Sequence, residues 1–135
     1  MSAGVVLDAS TTLSWAFDDE AGKYSDAVLE FVTENHALVP SVWKYEIANG
    51  VLVGLRHARL SIDEAIAFSQ DLATLDIQVD VSATEPVTLL AEAVESGLTA
   101  YDAAYLMLAR ETGLPLATQD RALIRAARTS GIDIF

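Results

Sequence analysis

Short apolar runs alternate with longer helix-patterned segments along this chain, and that alternation restricts its fold more than any other feature. Apolar or β-branched runs fall at 5–7, 37–39, 77–81, 116–118 and 132–135, each bounded by a turn or cap signal. Helical spacing between them predicts helices over 24–35, 42–59, 62–75, 86–96, 101–112 and 121–130. Gly97, Gly113 and Gly131 stand where helices should stop, and Pro86 near a start, where its missing N–H costs little. The pattern predicts an α/β fold, a three-layer sandwich with a mostly parallel five-stranded sheet flanked by helices. No repeat, low-complexity tract or Pro/Gly-rich linker divides the chain, so residues 1–135, 52% apolar, are expected to form one domain.

Open parallel sheets bind ligands beyond the carboxyl ends of their strands, so the polar residues at that edge matter most. Asp8 ends the first run in VVLDAS, and Asp120 follows LPLAT by two residues. Glu46 lies early in the helix after the second run. Asp102 begins the helix that ends at Gly113 and feeds a parallel strand from its amino end, so its start belongs at the carboxyl edge. Topology alone brings four acids together.

Such a gathering is unfavourable without counter-ions, since two unit charges about 4 Å apart repel by roughly 4 kcal/mol at an effective dielectric near 20. Mg²⁺ or Mn²⁺ suits an all-oxygen donor set, and metals held this way support phosphodiester hydrolysis. Zinc fits less well, with no cysteine and only His36 and His57. Each acid also has a structural alternative. Asp8 and Asp120 can cap helices, Thr99 and Asp102 have capping-box spacing, and Glu46 shares a partly apolar stripe with Val42, Asn49 and Val53. Ser10 and Thr118 are placed to orient carboxylates, and Asn49 to support Glu46 one turn away.

Two basic groups, Arg121, Arg125 and Arg128 on the last helix and Arg56, His57 and Arg59 at the end of another, suit either phosphate contact or surface ion pairing. Trp15, Phe17 and Trp43 suit the core or a groove for an apolar partner helix. With 20 acidic residues against 8 Lys and Arg, the net charge of −12 opposes sequence-independent nucleic-acid binding unless bound cations present positive charge locally. The absence of cysteine excludes disulfides and thiolate metal sites and suits a reducing compartment. MSAGVVLDAS shows no export signal and no run nears the roughly 20 apolar residues of a membrane span, so a soluble, cytoplasmic protein is expected.

VVLDAS, the acid in WKYEIAN, TAYDAAYLMLA and LATQDRAL together resemble the PIN-domain family, and more narrowly VapC-type toxins of bacterial and archaeal toxin–antitoxin pairs. The resemblance spans almost the whole chain; TAYDAAYLMLA followed closely by LATQD is its most specific part. It implies a Mg²⁺- or Mn²⁺-dependent ribonuclease whose acidic set falls on Asp8, Glu46, Asp102 and Asp120, with Thr118 preceding the last acid. It also implies a homodimer and a small antitoxin whose C-terminal segment blocks the site, often with a basic residue.

Alternatives are a non-toxin PIN nuclease, a receiver-like domain or a metal-binding interaction module. A receiver would want a late lysine, and the only lysines are Lys23 and Lys44. A dehalogenase-type phosphatase would want an acid at Ser10. Gly22-Lys23-Tyr24 lacks the context of a phosphate-binding loop, and no glycine fingerprint supports a dinucleotide.

Overall fold

The first apolar run forms β1 (Gly4–Leu7), and each of its four residues is buried. Successive side chains of a strand face opposite sides, so both faces of β1 are covered. The computed structural model describes residues 3–82 and 84–135. After β1 come α1 (Ala9–Ser14), α2 (Lys23–Glu34), β2 (His36–Pro40), α3 (Val42–Arg56), α4 (Ile62–Ala73), β3 (Ile77–Asp80), α5 (Pro86–Ser96), α6 (Ala100–Thr112), β4 (Leu116–Ala117) and α7 (Arg121–Thr129).

The strands pair in parallel in the order β3-β2-β1-β4. The chain moves outward from β1 through β2 to β3, then returns to the other side of β1 for β4. The crossover direction therefore reverses between β1 and β4, and their carboxyl ends flank the crevice where such sheets hold ligands. Val5, Val6, Leu7, Ala37, Val39, Leu116 and Ala117 have no exposed surface and form the centre of the core. Tyr105, Leu106 and Leu123, also fully buried, pack with them from α6 and α7.

Among the described residues the sheet has four strands, not the expected five. The segment 132–135 does run beside β4, but it makes only one parallel bridge, Leu116 to Ile134, with hydrogen bonds from Leu116 N to Asp133 O and Phe135 N to Leu116 O. Phe135 is committed instead to edge-on contacts with Tyr24 and Phe31. The helix predicted to reach residue 59 stops at Arg56 because Ala58 takes a left-handed φ of 55°, and the Arg59 and Leu60 amides bond back to Gly54 O. The short α1 had no counterpart in the predicted elements. Its run of Ser and Thr hides the helical pattern, yet Thr11, Thr12 and Ser14 are all buried.

The tryptophans and Phe17 belong to the core side of this arrangement. Trp43 is buried with Nε1 donating to Thr12 Oγ1, and the half-buried Trp15 donates to Ser25 O. No helix of the described residues is long and apolar enough to cross a membrane.

The turn after α1 packs closely on α3. A Cβ on the buried Gly54 would lie 2.8 Å from two atoms of the Phe17 ring and 3.3 Å from Leu60 Cδ1. The Arg59 guanidinium also lies over that ring, 4.1 Å from its centroid. Gly54→Ala should therefore destabilise the fold by about 1–3 kcal/mol, as overpacking does. Denaturant titration checks this, and an unchanged midpoint would contradict the packing.

Candidate active site

Asp8 leaves β1 at its carboxyl end, with its amide bonded to Ala117 O on β4, and is only 5% exposed. Thr118 Oγ1 and Ser10 Oγ each donate to Asp8 Oδ2 at 2.7 Å. Asp8 occupies the N-cap position of α1 but makes no side-chain capping bond, so the capping alternative does not account for its carboxylate. Both hydroxyls converge on one oxygen, leaving Oδ1 free of them. Thr12 Oγ1 donates to the Asp8 carbonyl at 3.1 Å and accepts from Trp43 at 3.1 Å, which fixes the backbone beneath the acid.

The other acids arrive from three further elements. Thr118 Oγ1 also accepts from the Asp120 amide at 3.1 Å, so one hydroxyl joins the two acids that follow β1 and β4. Asp120 is exposed and its Oδ1 caps α7 by accepting from Leu123 N at 3.0 Å. Here the capping role is real, and Oδ2 takes no part in that bond. Thr99 Oγ1 accepts from Asp102 N at 3.1 Å at the start of α6, without the reciprocal bond of a full capping box. Glu46, half-buried on α3, accepts from the Tyr105 hydroxyl at 2.6 Å.

Asp8, Ser10, Glu46, Asn49, Asp102 and Asp120 line one open cleft of about 310 Å³. Burial raises the Glu46 pKa most, and the charges of Asp8 and Asp102 raise it further against the opposing Tyr105 bond. Asp102 is raised mainly by burial, then by Asp8 and Asp120, with Thr99 opposing. The acids thus sense one another's charge, which is the electrostatic meaning of a shared site.

Tyr105 carries no acid-site signal beyond its place one helical turn after Asp102 in TAYDAAY, and sequence reasoning passed over it. Its ring is fully buried and its own ionisation is pushed far up, first by burial and then by the Glu46 bond. It remains a proton donor to Glu46. Tyr24 was likewise unmarked. Its pKa is raised most by burial and further by the Asp8 charge, against the opposing contact with the Thr118 backbone.

The basic residues separate. Arg59 pairs with Asp19 at 2.9 Å and Glu20 at 2.7 Å, so ion pairing describes it. Arg56 lies ten residues beyond Glu46 on α3, about 15 Å along the axis at 1.5 Å per residue. Arg125 lines a different cleft with Glu92 and Arg110, while exposed Arg121 directly follows Asp120. Asn49 lines the acid cleft, but the bond to Glu46 comes from Tyr105.

A hard divalent cation fits this donor set. The side chains are carboxylates and hydroxyls, and two of the acids are held partly out of water beside other charges. Among the described residues no three carboxylate or imidazole groups close into a ready-made cage.

A raised carboxylate pKa means the folded state binds a proton more readily than the unfolded one, so ν_U − ν_N is negative and stability falls as pH rises. For Asp102 the stabilising contribution is complete below the unfolded value near 4 and is lost as pH passes the folded value. In metal-free protein, Asp102→Asn should melt progressively above the unsubstituted chain as pH goes from about 4 to 7.5, and Mn²⁺ should narrow the gap. Thermal melts in chelator check this; a variant that melts lower at pH 7.5 would contradict the repulsion.

Comparison with known proteins bears on the family and the fold. The PIN domain family profile matches residues 5–129. Ribonuclease VapC3 of Pyrobaculum aerophilum is 31% identical over 121 residues, which are 88% of this chain and 91% of that protein. Exonuclease VapC9 of the same organism is 39% identical over 92 residues, 67% of this chain and 65% of its own. The crystal structure of PAE2754 from Pyrobaculum aerophilum superposes with a TM-score of 0.68 at 24% identity, covering 93% of this chain and 86% of the other, which supports the fold. The receiver-like alternative gives way, and the chain belongs to the PIN-domain family, alongside its VapC-type members.

Proposed function

We propose that residues 1–135 form a single-domain, Mg²⁺- or Mn²⁺-dependent endoribonuclease, the toxin of a toxin–antitoxin pair. The observation that carries this reading is the meeting of Asp8, Glu46, Asp102 and Asp120 in one cleft at the β1/β4 reversal. The family and the relatives named as a ribonuclease and an exonuclease support it. The proposed setting is cytoplasmic, with a homodimer and a small antitoxin as partners. A basic antitoxin residue placed among the four acids would suit a chain of charge −12.

Asp8, Glu46, Asp102 and Asp120 are the residues proposed to hold the cation and to act in catalysis. The bound metal supplies Lewis acidity and a water made nucleophilic near neutral pH, the chemistry of phosphodiester hydrolysis. The protein's share is positioning. Thr118 and Ser10 hold Asp8 by one oxygen, Tyr105 holds Glu46, and Leu123 N holds Asp120, so each carboxylate keeps an oxygen outside those bonds. Restraining these side chains before substrate arrives reduces the ordering cost at the moment of reaction. Arg121, next to Asp120, is the proposed phosphate contact; Arg125 and Arg56 stand farther from the acids.

Purified protein should cleave RNA with Mg²⁺ or Mn²⁺ and lose cleavage in chelator. Asp8→Asn and Asp102→Asn should each lower the rate at least a hundredfold while circular dichroism stays unchanged. Undiminished cleavage by either variant, or in chelator, would sink the mechanism. Expression of the active chain should arrest growth and a neighbouring small protein should relieve it; harmless expression of active enzyme would remove the toxin role.

A further inference from the structure

A second cleft, of about 320 Å³, adjoins the first and shares Ser10 and Asp120 with it. Its other walls are Ser14, Glu20 and Gln119, and no Lys or Arg lines it. A site for phosphate would want cations, so this one suits an uncharged hydrogen-bonding group. Its volume falls at the lower end of the roughly 300–1,000 Å³ usual for small-ligand pockets.

Two walls have capacity to bind, Glu20 with its side chain held and Gln119 on a held backbone. Glu20 is fastened through Oε2 by Arg59 at 2.7 Å, and Arg59 is itself held by both oxygens of Asp19, at 2.9 and 3.2 Å, and by the face of Phe17. This guanidinium is shared between Asp19 and Glu20, so it offsets part of their combined charge. Gln119 is exposed and its carboxamide makes no hydrogen bond among the described residues, although the loop under it is pinned by the Asp120 amide on Thr118. The cleft therefore offers an acceptor on Glu20 and a donor–acceptor pair on Gln119, one residue from Asp120.

Single-stranded RNA is recognised sequence-specifically by hydrogen bonds to the edges of unstacked bases. Glutamine pairs with the amino-bearing edge of adenine, and glutamate accepts from an exocyclic amine such as that of cytosine. Resting on the ribonuclease reading above, we propose that this second cleft seats the nucleobase flanking the scissile phosphate. Gln119 and Glu20 select a base bearing an exocyclic amine over uracil. Because the ridge of Ser10 and Asp120 separates the clefts, the base lies beside the acids, not among them.

The test uses four single-stranded RNA oligonucleotides that differ only in the nucleotide flanking one cleavage position, with binding followed by fluorescence anisotropy in Ca²⁺, which takes the same oxygen ligands, and cleavage followed with Mn²⁺. The unsubstituted protein should prefer adenine, cytosine or guanine over uracil at that position by about tenfold, the scale of one good base contact. Gln119→Ala and Glu20→Ala should each shrink that ratio at least threefold in both measurements. An unchanged ratio, or equal loss for all four bases, overturns the subsite. Both residues are exposed, so matching melting curves exclude misfolding as the cause. If the unsubstituted protein cleaves none of the four but binds them with base preference, the nuclease reading fails while base recognition stands; absence of both removes the subsite too.

Discussion

The bond from Thr118 Oγ1 to Asp8 Oδ2 is the contact on which the rest of the site depends. It joins the ends of the two strands between which the sheet reverses, and the same oxygen receives the Asp120 amide. Both partners are almost completely buried, at 2% and 5% exposure, so leaving either polar group unsatisfied would cost more than the bond itself is worth. Around that link the position of Asp8, the entry into α7 and the floor of the acid cleft are set together.

The site trades stability for chemistry. Glu46 and Asp102 are partly withdrawn from water and face other carboxylates, a placement that folding alone would not favour. Asp120 reconciles the two demands by capping α7 with one oxygen. Asp102 does so less completely, since its backbone is capped by Thr99 while its carboxylate faces like charge. The proposed cation would relieve this conflict and give a strongly acidic protein a local means of attracting a polyanion.

Much of this was legible in the sequence because strand ends and helix starts leave strong local signals. VVL followed by Asp, the Thr-x-x-Asp start of α6, and the glycines after α5 and α6 all mark backbone geometry, and the alternation orders the elements. Gly97 and Gly113 indeed take left-handed φ of 71°. What was illegible depends on tertiary contact. The α1 hydroxyls read as loop until they are seen buried, and the terminal 132–135 run is apolar whether it pairs as a strand or serves to seat Phe135. Tyr105 looks like any core aromatic until Glu46, 59 residues away, meets its hydroxyl. The arginines shared one sequence signal, and only packing set Arg59 in its ion pairs and Arg125 in a different cleft from the acids.

The central claim is that these acids are one site for a hard divalent cation. Anomalous diffraction from crystals soaked in Mn²⁺ tests it most directly. A peak is expected within coordination distance of Asp8 and at least one of Glu46, Asp102 and Asp120. Manganese bound only elsewhere, or no peak at saturating concentration with the cleft open to solvent, would contradict it.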